Sequence, residues 1–211
     1  MDQTKNDPAS KDAHLTYKLL FENFRDARKI FRIGKSLNEA QSIKNIVFKS
    51  QGDMDDVEAT LFIAARLGFL LYWFFDNLNI LSKLKVVKKD PKSFFKPSMF
   101  FWWLGVTFTI INNLRKLQGL KIKLFKLMEA SAKETEKNAE NEKKMDALRA
   151  QMAGCYRTLV KMFGDAIPSG AGWGLYEMLG FKVGDTAIGL GGLISALVSC
   201  YETFNSGAAK K

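Results

Sequence analysis

The side chains best able to do chemistry are few and scattered along the chain. His14 is the only histidine among 211 residues, so histidine-based triads, zinc sites and proton relays have little to build on. Cys155 and Cys200 have neither metal-ligand nor redox spacing and read as small apolar packing residues of a reducing compartment. Asp53, Asp55 and Asp56 resemble calcium ligands, but an EF-hand loop counted from Asp53 needs glycine at its sixth position and glutamate at its twelfth. Glu58 and Ala64 stand there instead. These carboxylates suit the amino end of a helix, where they cap free amides and oppose the dipole. The GxSxG, P-loop and HExxH patterns are absent, and Ser195 lies in LISAL with no histidine near it in sequence. Gly189, Gly191 and Gly192 lack the preceding strand and full spacing of a nucleotide-binding turn. The residues predict neither an enzyme nor a bound cofactor or metal.

The chemistry the chain does offer is that of lipid headgroups. From His14 to about Leu37, Tyr17, Leu20, Phe21, Phe24, Ala27 and Phe31 recur at helical spacing, and Lys18, Arg25, Lys29 and Arg32 fall in one narrow sector beside them. An aromatic stripe next to a cationic one is the pattern of a helix lying in a bilayer interface. A core-packed helix with a solvated basic face fits the same residues equally well. Formal charge is +10, and further lysines cluster at Lys83 to Lys96 and Arg115 to Lys126, where they would attract anionic headgroups. No finger, recognition motif or helix-turn-helix accompanies this charge, so nucleic acid is not the expected partner. The leader, MDQTKNDPASKDAH, has no apolar segment of a secretory signal and reads as disordered. The tail NSGAAKK carries neither a peroxisomal matrix-import tripeptide nor a retrieval signal.

The elements that must position these residues are helical. Ala59 to Phe75 carries one charge, Arg66, and Pro97 to Leu114 carries none; both only just reach the roughly 20 apolar residues of a membrane span. Phe69, Tyr72, Trp73, Trp102 and Trp103 are expected to enter the membrane, the last four near the ends facing the lysine connection, where amphipathic rings meet headgroups. Gly34 and SLNEAQS loosen the amphipathic pattern. A helix beginning near Val57 is expected to run to about Val87, with Pro91 and Pro97 marking a break and a second arm starting near Pro97 and continuing past Leu114. Arg66 and Asp76, nearly three turns apart and roughly 80° apart around the helix, are not expected to pair, and placement at the surface of an interfacial helix accounts for both. The lysine clusters flank the second arm on opposite sides, which conflicts with the positive-inside rule for two full spans. Glu129 to Arg149 reads as a charged linker helix, with Glu129/Lys133 and Glu140/Lys144 at i,i+4. Gly180, Gly184, Gly192, Ala196 and Cys200 form a small-residue row four apart, suited to close helix packing and oligomerisation in lipid.

The expected fold is therefore all-α: a membrane-associated helical bundle with an amphipathic N-terminal helix, an apolar helical hairpin and a glycine-rich C-terminal membrane helix. A leader over 1–13 precedes one unit over 14–204, divided into 14–50, the hairpin 57–128, the charged linker 129–149 and the glycine-rich helices 150–204. A tail covers 205–211.

ARKIFRIGKSLNEA (Ala27 to Ala40), RLGFLLYWFFDNLNILSKLKVV (Arg66 to Val87, with Phe74, Phe75, Asp76, Asn77 and Leu78 at its centre), LRKL (Leu114 to Leu117) and GLGGLISALVSCYETF (Gly189 to Phe204) together resemble the peroxin-eleven family in kind and order. The resemblance implies a peroxisomal membrane protein with termini toward the cytosol, whose amphipathic helices bind anionic lipids, bend and elongate the membrane and promote peroxisome proliferation and fission. It also implies a homo-oligomer and, as partners, fission machinery comprising a dynamin-related GTPase and its membrane adaptor. Two other functions fit: an oligomeric pore for small metabolites, and a structural subunit of a larger membrane complex.

Overall fold

The computed structural model describes residues 12–13, 15–20, 23–24, 27, 32, 34–49, 55–133 and 139–208. Among the described residues there is no strand, and six helices follow one another: α1 (Lys35–Lys49), α2 (Asp56–Lys83), α3 (Lys92–Lys133), α4 (Ala139–Trp173), α5 (Leu175–Met178) and α6 (Asp185–Ala208). The all-α expectation holds, and α2, α3 and α6 are each long and apolar enough to cross a membrane.

Local chemistry explains where each helix begins and ends. Asp55 is the N-cap of α2, its carboxylate accepting from the Val57 amide at 3.4 Å, and Asp56 and Glu58 place negative charge in the first turn. The helix stops at Lys83, not near Val87. Lys85 takes a left-handed φ of 60°, and the Ser82 hydroxyl donates to the Lys89 carbonyl, folding the chain into the connection. Asp90 then accepts from the Lys92 amide at 3.0 Å, so α3 starts at Lys92, and Pro97 lies inside it, where it cannot donate to the Ser93 carbonyl. Gly34, at φ +88°, separates the N-terminal segment from α1. SLNEAQS, expected to be loose, is helical inside α1, where Glu39, Ile43 and Ile46 turn inward while the opposite face stays exposed.

α2 and α3 form the expected antiparallel hairpin, tied at its open end by ion pairs of Asp55 with Arg115 and Glu58 with Lys116. At about 1.5 Å per residue, the 42-residue α3 is roughly twice as long as a hydrocarbon core is thick. Its second half leaves the hairpin and packs on the first half of α4 as a two-helix stalk around Leu117, Leu120, Cys155 and Leu159. Of the charged stretch from Glu129 to Arg149, residues 129–133 end α3 and 139–149 begin α4, and residues 134–138 lie outside those described. Lys144 lies 2.7 Å from Glu140 and holds its exposed carboxyl below the usual carboxylate range.

Past Leu159, α4 continues beside the hairpin to Trp173, where Gly174 at φ +96° breaks it. The short α5 reverses the chain, and α6 returns toward the stalk end. α4 and α6 cross in backbone contact: a Cβ built on Gly191 would stand 2.6 Å from the Gly164 carbonyl oxygen. Pro168 lies four residues beyond Gly164 and cannot donate to that carbonyl, so the oxygen facing Gly191 is one the helix itself leaves without its usual donor.

Each helix therefore packs on its neighbours in chain order, α1 on α2, α2 on α3, α3 on α4 and α4 on α6. Among the described residues, α2 and α6 do not meet. The result is an open trough with α3 and α4 as its floor and α2 with α1, and α6, as its walls.

Candidate functional site

The N-terminal aromatic stripe is unpartnered wherever it is described. Residues 15–20, 23–24 and 27 are helical, and Tyr17 and Phe24 are 73% and 72% exposed, with Leu20 and Lys18 exposed beside them. Phe21, Arg25, Lys29 and Phe31, the rest of the expected stripe and its cations, lie outside the described residues. Arg32, expected as a headgroup ligand, lies against the hairpin. It sits past the helical run, 5.6 Å above the Trp73 ring and 3.5 Å from the Tyr72 hydroxyl.

The hairpin aromatics lie largely between helices. Tyr72 is 5% exposed and stacks on Trp102 with centroids 5.3 Å apart, while touching Trp73 at 4.5 Å. Trp103 packs on Trp173 of α4 at 5.5 Å. Phe69 lies against the α2–α3 crossing, its ring facing Gly105. Tyr72, expected to insert into the membrane, lies between α2 and α3. Glycines at the crossing bring α2 and α3 so close that rings about one turn away must fill the space between them. Asp76, expected at the surface, is 3% exposed and faces the interior. As expected it does not pair with Arg66, which instead bonds Glu39 of α1 at 3.0 Å.

The small-residue row also divides. Gly180, at φ +77°, and Gly184 precede α6 and lie on the turn leading into it, so the five positions do not share one helix. Gly192 and Ala196 do lie on α6, facing the trough. A Cβ on Gly192 would meet nothing within 4 Å, and the residue that seats α6 on α4 is its neighbour Gly191.

The trough encloses about 710 Å³. Aromatic and apolar groups of α2, among them Phe62 and Phe69, line one side. Thr109, Asn112 and Asn113 of α3 and Thr158, Lys161 and Asp165 of α4 form a polar floor, and Ser195, Ser199 and Glu202 of α6 face them. Two ion pairs line it, Arg66 with Glu39 within one wall and Lys161 with Glu202 between the floor and the other wall at 3.5 Å. Sequence reasoning missed this polar lining. Its signal was legible, since Lys161 and Asp165 stand one turn apart on α4, and Ser195, Ser199 and Glu202 follow i, i+4, i+7 along α6. The polar positions of an otherwise apolar helix mark the face it turns inward.

The arrangement exposes aromatic rings on the N-terminal segment and sets a polar floor beside an apolar wall in the trough. Compared with known proteins, residues 2–204 match the family model described as Peroxisomal biogenesis factor 11 (PEX11). Neither a curated protein nor a solved structure matches the chain. The family match covers nearly its whole length and agrees with the motif order from Ala27 to Phe204, with the helical architecture and with three helices able to cross a membrane. The chain therefore belongs to the peroxisomal biogenesis factor 11 family, whose members are peroxisome biogenesis factors.

Proposed function

We propose that the protein curves and elongates the peroxisomal membrane by laying its N-terminal amphipathic segment into one leaflet, and so promotes peroxisome proliferation and fission. The observation that carries this reading is the exposure of the Tyr17 and Phe24 rings. Tyr17 and Phe24 have no packing partner on the bundle, which favours an interfacial helix over the core-packed alternative. Apolar rings entering a leaflet a few ångströms deep expand it, while adjacent cations hold anionic headgroups. α2, α3 and α6 supply the anchor. The stalk and the end of α6 lie toward one end of the bundle, which we assign, together with the N-terminal segment, to the cytosolic side. Copies of the chain assemble into a curved scaffold through α6, with Gly192 and Ala196 at the contact, and the stalk presents the surface that fission machinery, a dynamin-related GTPase and its adaptor, would meet.

The test is tubulation of anionic liposomes by the purified full chain, followed by electron microscopy. Tubules that form on anionic but not on neutral vesicles are expected. Equal binding to both would sink the electrostatic part, and binding without deformation would sink the remodelling part.

A second reading has one observation in its favour, the polar floor of the trough. Two troughs facing each other in an oligomer would enclose a polar path for small metabolites. Conductance in planar bilayers that vanishes in Gly192→Leu is the outcome this reading requires.

A further inference from the structure

We propose that Arg32 and Lys35, converging on the indole of Trp73, form a seat for the phosphate of a single phospholipid whose glycerol end lodges in the trough. This rests on the membrane reading above but concerns a built site, not the surface of the amphipathic segment.

Four cations and three carboxylates (Glu39, Asp165 and Glu202) line the trough, and Arg32 and Lys35 are the cations that form no ion pair among the described residues. Arg66 is neutralised by Glu39 and Lys161 by Glu202. The Arg32 guanidinium stands 5.6 Å from the Trp73 ring centre and the Lys35 ammonium 4.9 Å from it. Neither has a carboxylate partner among the described residues. Two cations held over one ring repel each other, and the ring's quadrupole offsets only part of that repulsion. An anion between them removes the conflict.

Phosphate is the anion that fits best. The guanidinium offers a planar fork of donors and the ammonium a compact charge, the two complementary ways side chains hold phosphate oxygens. Trp73 contacts both heads. Tyr72, whose hydroxyl lies 3.5 Å from Arg32, holds the guanidinium in register.

The surroundings then point to a lipid as the source of that phosphate. The trough's 710 Å³ lies within the range of small-molecule sites. Beyond the two cations its α2 wall is apolar at Phe69, Ala65 and Phe62, whereas Asn112 and Thr109 of its floor and Ser195 of the facing α6 are open to ester and glycerol oxygens. Because α2 and α6 do not meet, the site opens sideways, as entry from a bilayer requires.

The experiment uses the full chain purified in detergent and native mass spectrometry, with phosphatidic acid, diacylglycerol and inorganic phosphate as probes. One phosphatidic acid per chain should survive transfer to the gas phase, and diacylglycerol, which has the same tails but no phosphate, should not. Arg32→Gln combined with Lys35→Gln should lower retention at least about tenfold, the loss expected for charge-assisted hydrogen bonds. The pair Lys88→Gln and Lys89→Gln, at the connection between α2 and α3, should leave it unchanged. Lys35→Glu alone, an exposed substitution that the fold tolerates, should give the same loss and guards against a misfolded double variant. Retention of diacylglycerol, or undiminished retention in the Arg32 and Lys35 variants, overturns the seat. Displacement of the lipid by millimolar inorganic phosphate overturns the lipid as the natural occupant. Failure of liposome tubulation would count against the wedge alone, since this readout needs no bilayer.

Discussion

Gly68 and Gly105 bring the backbones of α2 and α3 together: a Cβ built on Gly68 would stand 2.7 Å from the Gly105 nitrogen and 3.1 Å from the Phe101 carbonyl oxygen. Backbone cannot yield as a side-chain tip can, so any larger residue at 68 must push the helices apart. Tyr72 on Trp102 and Phe75 on Phe101, the ring stacks beside the crossing, would be lost with it. In lipid, where association rests on packing and not on exclusion of water, that contact is a main part of what holds the hairpin closed.

Gly68→Val should therefore destabilise the hairpin by about 1–3 kcal/mol, the usual cost of overpacking. Gly119→Ala on the stalk is the matched control, because a Cβ there meets nothing within 4 Å. It should stabilise the helix by up to about 1 kcal/mol through lower backbone entropy in the unfolded chain. Denaturation in mixed micelles, followed by circular dichroism, measures both. Equal effects at the two positions would refute the close crossing.

Neighbouring glycines on α6 should behave oppositely. Gly191→Ala places a methyl group 2.6 Å from the Gly164 carbonyl oxygen and 3.3 Å from Pro168, so it should loosen α6 from α4 and expose it to protease. Gly192→Ala, with open space around it, should leave the folded chain as stable as before or slightly more so. If Gly192 instead joins two copies, Gly192→Leu will abolish cross-linked oligomers without lowering the melting temperature of the monomer.

These contrasts show how much the sequence discloses. Helix type, the hairpin and the third apolar helix follow from the length and periodicity of the apolar runs, properties that every residue in a run shares. The positions of contact do not. Gly191 and Gly192 have the same composition and differ by one register step of 100°, and only the partner helix decides which of them faces inward. Tyr72 looked like a headgroup aromatic because its sequence neighbours are apolar, yet the close glycine crossing draws it inside. Asp76 was legible as a polar interruption and illegible in its direction, for the same reason. The polar floor of the trough was within reach through the i, i+4 and i+7 spacing of Ser195, Ser199 and Glu202. That spacing becomes a cavity only because α2 and α6 fail to meet, a topological fact with no local signature.

Asp55 has two partners, the Val57 amide as a helix cap and Arg115 across the open end of the hairpin. Loss of a cap costs about 1 kcal/mol, whereas an exposed ion pair contributes between zero and about 1 kcal/mol, and both side chains here are about half exposed. Asp55→Ala should thus destabilise the protein more than Arg115→Ala does. Asp55→Ser, which keeps a capping oxygen and removes the charge, should recover most of the loss. A double-mutant cycle with a coupling energy above that range would instead make the ion pair the principal tie.

The exposed N-terminal face yields the most direct test of membrane action. Tyr17 and Phe24 present apolar area that only a bilayer or a partner can cover, and Lys18 lies beside them. Replacing both rings by serine removes insertion and leaves the charge. Lys18→Gln removes one charge, worth about 1 kcal/mol near an anionic surface and so roughly a fivefold change in affinity. In vesicle flotation by the full chain, the serine variant should keep initial anionic attraction but lose tubulation, whereas Lys18→Gln should still tubulate at higher protein concentration. Raising salt should weaken the wild type and shrink its advantage over Lys18→Gln, because screening acts on charge and not on buried rings. A serine variant that tubulates as well as the wild type would assign deformation to the bundle and remove the wedge from the mechanism.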